Sequence, residues 1–235
     1  MSGILVYALH YDGAFNKNSL GAVSEGAKLA GELGTECHAI VIGEGVSDEL
    51  ASQLGNYGAT KVYRVEGPEG LAQPVVDAMA AAIEANDLDY ALFGGGLLGF
   101  EIGAGLTARL DAGVCMEVTS VRVEDGKLVC ERQAEYGYDT VEIDLPAVIS
   151  VGDAINEPRY PSLKAIMGAK KKPLDTKGSG DVGIEADKVG ESGSQTQVLS
   201  INPPPEKQAG EVFEDEDTNE TVEKIVAWLD ERKLI

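Results

Sequence analysis

The sequence predicts an α/β fold, with a parallel sheet covered by helices on both faces, an antiparallel extension, and an extended C-terminal arm that ends in a helix. Three observations predict it. Apolar runs of strand length alternate with helical-period segments through the first 113 residues. A two-residue alternation broken by Asp125-Gly126 and by Gly137 then fills 117–152. From Asn156 onward regularity fails, and Pro, Gly, Ser and charge dominate until a final amphipathic stretch.

The first element is "ILVYAL" (4–9), a continuous apolar run suited to a strand buried on both faces. A helix follows in "NSLGAVSEGAKLAGELG", with Asn18 or Ser19 as its cap and Gly34 as its close. "CHAIVIG" is the second strand, with a helix from about Ser47 to Tyr57 behind it. "KVYRVEG" and a helix from about Gly70 to Ala85 form the third unit, and "YALFGGG" with a helix from about Phe100 to Leu110 the fourth. Four strand–helix units in succession require right-handed crossovers and a parallel sheet. Asp-Gly between alternating runs marks a hairpin, and the extension ends in another buried strand, "AVISVG". In the irregular arm "SQTQVLSI" can add one strand to a sheet. The terminal "TNETVEKIVAWLDERKLI" is a helix with Thr218 as cap and Val222, Ile225, Val226 and Leu229 on one face, suited to docking on a partner. The organisation expected is 1–155 as a nucleotide-binding domain, 156–177 as a partner-recognition segment, and 178–235 as a docking arm and helix.

Composition narrows the function. The formal net charge of -21 repels phosphate over most of the surface, which argues against nucleic-acid binding. The acidic excess serves solubility or adaptation to a salt-rich cytoplasm, and both readings stay open. No apolar run is long enough to span a membrane, and the N-terminus reads as a first strand without a basic leader, so a cytoplasmic protein is expected. The 3 scattered cysteines, Cys37, Cys115 and Cys130, include no C-x-x-C pair and predict neither a disulfide framework nor a metal site. No nucleophile–base pair, nucleophile elbow or P-loop lysine is present, so no catalytic residue is expected.

What remains is a nucleotide-sized cleft. Ligands of open parallel sheets bind beyond the carboxyl ends of the strands. Those ends are "ALHYDG" (8–13), "IGEG" (42–45) and "GGGLLG" (94–99). The glycines allow close approach of a ligand, and the helix that follows points free N–H groups at any phosphate. Triple glycine is equally a tight strand-to-helix turn. His10 either lines the cleft or is structural, whereas His38 lies within a strand pattern.

The segment "NEPRYPSLKAIMGAKKK" (156–172) begins a concentration of positive charge in an acidic chain, for 5 of the 19 Lys and Arg (Lys164, Lys170, Lys171, Lys172 and Lys177) fall between residues 164 and 177. It closely resembles the signature of electron transfer flavoprotein beta subunits. "GKLVCERQAEYGYDTVEIDLPAVISV" before it, and "GDVGI", "SINPPPEKQAGEVF" and the terminal helix after it, extend the resemblance. The N-terminal stretches "ILVYALHYDGAFNKNSLGAVSEGAKLA" and "GGGLLGFEIGAGLTARLD" look closer to the family's alpha subunit, with Phe100 in place of a basic residue and Ala104-Gly105 in place of Pro-Arg.

The resemblance implies a Rossmann-like, adenine nucleotide alpha hydrolase-like domain and a heterodimer with an alpha subunit that carries most of one flavin adenine dinucleotide (FAD). It implies that this chain holds adenosine monophosphate (AMP) or a second FAD. By position, Ala8, Asn16, Asn18, Ser19, Ile42, Gly94, Gly95, Gly96, Gly99 and Glu101 would line that nucleotide, and His10 and Tyr11 would face the shuttling flavin. Tyr160, Leu163, Ile166, Met167 and Lys170 would form the recognition loop for acyl-CoA or other flavin dehydrogenases, with a quinone oxidoreductase or other acceptor downstream. The alternatives are that Leu163 packs inside the chain and that the lysines are simply solvated. A stand-alone nucleotide-binding module without a redox role is the rival reading.

Overall fold

The structure, a computed structural model, describes residues 3–43, 45–66, 72–178, 199–200, 202–206, 210, 212 and 217–235. The chain forms two compact units, Met1–Gln197 and Val198–Ile235.

The first unit is built on β1 (Gly3–Tyr7), whose residues are all buried. A small hairpin of β2 (His10–Tyr11) and β3 (Ala14–Phe15) leads into helix α1 (Lys17–Leu33). The alternating apolar runs then give β4 (Cys37–Ile42), α2 (Asp48–Ser52) with a 3-10 turn over Gln53–Tyr57, β5 (Lys61–Glu66), α3 (Ala72–Asn86), β6 (Leu88–Gly94) and α4 (Leu97–Leu110). The extension comprises β7 (Gly113–Glu124), β8 (Lys127–Ala134), β9 (Gly137–Ile143) and β10 (Ala147–Val151), followed by α5 (Leu163–Ala169) and β11 (Leu174–Gly178).

Nine strands pair in the order β11-β5-β4-β1-β6-β10-β7-β8-β9. The pairs from β11 to β7 are parallel, and β8 and β9 add the antiparallel edge. β10 does not continue the antiparallel edge; it inserts between β6 and β7. A strand such as AVISV, with Ser150 as its one polar side chain, fits there because both of its faces are covered. Alternate residues of β1 feed two cores. Ile4 and Val6 pack in the cluster that includes Ala22, Val23 and Leu29 of α1. Leu5 and Tyr7 pack in the cluster that includes Met79 of α3 and Leu106 of α4. This is the two-faced layering that the strand–helix rhythm requires.

Local signals place the boundaries, with four corrections. Asn16, rather than Asn18 or Ser19, caps α1; its side chain accepts from the N–H groups of both those residues. Helix α4 begins at Leu97, ahead of the expected Phe100. The segment after Asn156 is more ordered than its composition suggests, since Ser162 caps the short helix α5 and β11 pairs with β5.

The fourth correction lies in the second unit. There α6 (Thr218–Glu231) is capped by Asp217, with Thr218 already helical. "GDVGI" lies outside the described residues, as does almost all of "SQTQVLSI".

Candidate functional site

The strand order fixes where a ligand can enter. From β1 the chain moves to β4 and β5 on one side, then returns to β6 on the other. Crossovers therefore diverge between β1 and β6, and a crevice opens at the carboxyl ends of those two strands. Leu9 and Gly94–Gly96 stand at this point.

The residues around the crevice are locked from both sides. Asn16 Oδ1 accepts the N–H groups of Asn18 at 2.8 Å and Ser19 at 3.4 Å, which starts α1 beneath the β2–β3 hairpin. Ser19 Oγ accepts the N–H of Leu9 at 3.0 Å. Asn18 Nδ2 donates to the carbonyl of Val151 at 3.0 Å, while its Oδ1 is buried with no described partner. On the facing side, Gly95 N–H donates to the same Val151 carbonyl at 2.8 Å. Gly96 holds φ +95°, a conformation that side chains resist, and a Cβ on Gly99 would lie 2.7 Å from the Gly94 carbonyl oxygen. Gly96 is thus needed for the turn itself, and Gly99 for the close approach of the Gly94 carbonyl.

A narrow cleft gathers Asn16, Asn18, Ser19, Gly94, Gly95 and Gly99. Sequence reasoning did not single out Tyr7, Leu9, Leu98 and Ile102, which supply its apolar wall. A second, wider and more polar cleft adjoins it through Asn16 and Asn18 and is bordered by Asp153, Asn156 and Glu157.

The other expected residues stand apart from these linings. Ala8 is fully buried and donates its N–H to the Ile40 carbonyl. Ile42 is buried and offers its carbonyl to His10 Nε2 at 3.1 Å, and the His10 ring also meets Phe15 edge to face. Tyr11 is exposed on the hairpin, Gly96 is exposed at the start of α4, and Glu101 is exposed further along that helix. One charged group went unpredicted: the Glu117 carboxylate lies at this turn, 2.9 Å from the Gly96 nitrogen.

The signature segment closes over α1 and the 3-10 turn. Asn156 Nδ2 donates to Gly21 O and to Glu25 Oε2, at 3.2 and 3.1 Å. Arg159 donates to Asn56 O at 3.0 and 3.3 Å. Lys172 Nζ donates to Gly55 O at 2.8 Å and Ala59 O at 2.6 Å. Burial, and then the Arg159 charge, lower the Lys172 pKa below its ordinary value. This lysine is therefore a tie, while Lys164, Lys170 and Lys171 face solvent.

The ties hold an apolar ridge outward. Tyr160 is 97% exposed and Leu163 74%, and Ile166 and Met167 are exposed beside them. Leu163 therefore does not pack inside the body formed by the described residues. A groove lined by Asp48, Glu49, Ile166 and Lys170 runs alongside. Among the described residues no group of His, Cys, Asp and Glu could hold a metal ion, and no helix is long and apolar enough to cross a membrane.

An adenine nucleotide alpha hydrolase-like α/β domain with a switch-point cleft and an outward signature loop is the class of protein that these features define. The chain belongs to the electron transfer flavoprotein domain family, whose pattern it matches over residues 4–178. It is 44% identical over 115 residues to the electron transfer flavoprotein subunit beta of Mycobacterium tuberculosis (strain ATCC 25618 / H37Rv), covering 49% of this chain and 42% of that protein. It is 31% identical over 160 residues to the caffeyl-CoA reductase-Etf complex subunit CarD of Acetobacterium woodii, covering 68% and 58% of the two chains. With the electron transfer flavoprotein subunit beta of Thermoanaerobacterium thermosaccharolyticum it shares 26% identity over 229 residues, 94% of this chain and 87% of that one. The match spans less than half the length of the mycobacterial relatives.

Proposed function

We propose that this chain is the beta-type subunit of a heterodimeric electron transfer flavoprotein, an electron carrier rather than an enzyme, working in the cytoplasm. Residues 1–155 would bind the nucleotide, 156–177 would meet redox partners, and 178–235 would dock on the alpha subunit. The observation that carries this reading is the juxtaposition, within one family-matched domain, of the β1–β6 cleft and the tied, outward loop around Leu163.

The cleft suits an adenine nucleoside. Asn18 Oδ1 is a buried acceptor without a described partner, fitted to a ribose hydroxyl or an exocyclic amine, and the walls from Leu9, Leu98 and Ile102 suit a flat ring. Asn16 and the Val151 carbonyl hold Asn18 in place, Ser19 ties the Leu9 backbone beside it, and Gly94, Gly95 and Gly99 let the backbone come close. Ala8, Ile42, Gly96 and Glu101 would complete the surroundings of AMP or of a second FAD. His10 and Tyr11 would face the FAD shared with the alpha subunit, and that flavin supplies the redox chemistry when bound.

Leu163 would be the anchor for acyl-CoA or other flavin dehydrogenases, with Tyr160, Ile166, Met167 and Lys170 around it and a quinone oxidoreductase or other acceptor downstream. A small exposed apolar anchor supports weak, quickly reversed docking, as a shuttle requires. The reading is tested by mixing the purified chain with its alpha-type partner and FAD, then following size-exclusion elution at 280 and about 450 nm. Co-elution of both chains with flavin absorbance supports it. Separate elution of the two chains rejects it.

A further inference from the structure

The turn at Gly94–Gly99 has the form that would offer N–H groups to a phosphate, yet the chain's own carboxylate stands there. Glu117 Oε1 accepts the Gly96 N–H at 2.9 Å, at the N-terminus of α4. That helix has no acidic residue in its first turn and no capping side chain of its own, so Glu117 supplies, from across the sheet, the negative charge that a helix N-terminus attracts.

Three further features fix this carboxylate. Glu117 adopts φ +56°, in the left-handed region that few residues other than glycine occupy. It does so at a break in register between β7 and β10, where its N–H donates to Ser150 Oγ at 2.9 Å and the serine is fully buried. Gly95 then gives the carboxylate room, because a Cβ at that position would collide with it. A strained backbone, a buried hydroxyl and a glycine all serve one placement. Strained backbone of this kind clusters at active sites and ligand clamps.

We propose that Glu117 is the specificity-determining residue of the cleft, a built-in anion that takes the phosphate position at the Gly96 turn. The cleft then binds through the adenine nucleoside, and a phosphate contributes no affinity unless Glu117 is displaced. An incoming phosphate would compete for the same N–H donor and meet a like charge at contact distance. This rests on the nucleotide-binding reading above.

The test compares the full-length wild-type chain with Glu117→Gly and Glu117→Gln. Glycine accepts the left-handed backbone, and glutamine keeps an acceptor for Gly96 without the charge, so at least one variant retains the fold. Affinities for adenosine and AMP are measured by calorimetry, and melting temperatures are compared in potassium phosphate and potassium chloride of equal ionic strength. Wild type should bind AMP no more than about threefold tighter than adenosine and melt alike in both salts. The variants should bind AMP at least tenfold tighter than adenosine, with adenosine affinity unchanged, and phosphate should raise their melting temperatures.

A wild-type preference for AMP of tenfold or more overturns the proposal, as does a variant ratio equal to the wild-type ratio. If adenosine binds none of the three proteins, the nucleotide reading fails, and the phosphate melts decide on Glu117 alone. Phosphate stabilisation confined to the variants upholds the built-in anion, and an equal response in all three overturns it.

Discussion

Lys172→Met removes one ammonium group and asks whether it holds the recognition loop in place. Lys172 Nζ donates to Gly55 O at 2.8 Å and to Ala59 O at 2.6 Å, so one cation bridges the last turn of the 3-10 segment and the strand approach after it. Hydrogen bonds from a charged donor contribute about 1.5–3 kcal/mol each. Partial burial and the neighbouring Arg159 charge oppose them, which is why the Lys172 pKa lies below its ordinary value. The net loss should therefore sit near the lower end, about 2 kcal/mol, because methionine keeps the apolar stem but strands two carbonyls. For a chain of this size 1 kcal/mol moves Tm by roughly 2–4 °C, so a fall of about 4–8 °C is expected. The assay is thermal and urea unfolding by circular dichroism, with hydrogen exchange over α5, whose amides should exchange faster. Lys171→Met, at an exposed position, should stay within about 0.5 kcal/mol of wild type. If both variants melt with wild type, Lys172 is a solvated lysine and the tie is refuted.

Three other outcomes follow from named contacts. Leu163→Ala should slow electron transfer from the dehydrogenase to the assembled heterodimer while leaving flavin content unchanged, and unchanged transfer kinetics would remove the anchor role. Gly99→Ala should cost about 2 kcal/mol in urea unfolding, because its Cβ meets the backbone carbonyl of Gly94, which cannot move without disturbing the turn. Burial pushes the Cys37 thiol up to about 12, against an opposing pull from Lys172 and Arg159. An unfolded thiol titrates near ~8.5. Between these values the unfolded chain releases a proton that the folded chain keeps, so the Cys37 contribution is complete below the lower value and is lost through the window at about 1.4 kcal/mol per pH unit. Cys37→Ala should remove one proton's worth of alkaline slope from stability measured against pH, and an unchanged slope would contradict that.

The parallel sheet was legible because strands buried on both faces are mostly apolar, and "ILVYAL", "CHAIVIG" and "AVISVG" are, with His38 and Ser150 as the exceptions. The hairpins were legible because Asp125 and Gly126 both have positive φ, as a tight turn between strands needs. β11 was not, since "LDTKG" joins the edge of the sheet by backbone pairing with β5 and has no apolar pattern to announce it. α5 was hidden by its length of 7 residues between prolines, too short for a helical period to emerge. The cleft was partly legible. Glycines and Asn-Ser caps are local signals, whereas Glu117 reaches the turn from 21 residues away through a left-handed backbone that no spacing rule anticipates. Lys172 illustrates the same limit. Three adjacent lysines look alike in sequence, and only carbonyls 113 and 117 residues upstream single one of them out.

The reading of this chain as the nucleotide-holding half of an electron-carrying flavoprotein stands or falls on what its complex with an alpha-type partner contains. It is tested most directly by purifying the chain together with its alpha-type partner, denaturing the complex, and identifying by chromatography and mass spectrometry what is released. FAD should be released in stoichiometric amount, accompanied by one AMP or by a second FAD for each heterodimer. A complex that releases no flavin, or that releases a single flavin with no second adenine compound, would contradict it.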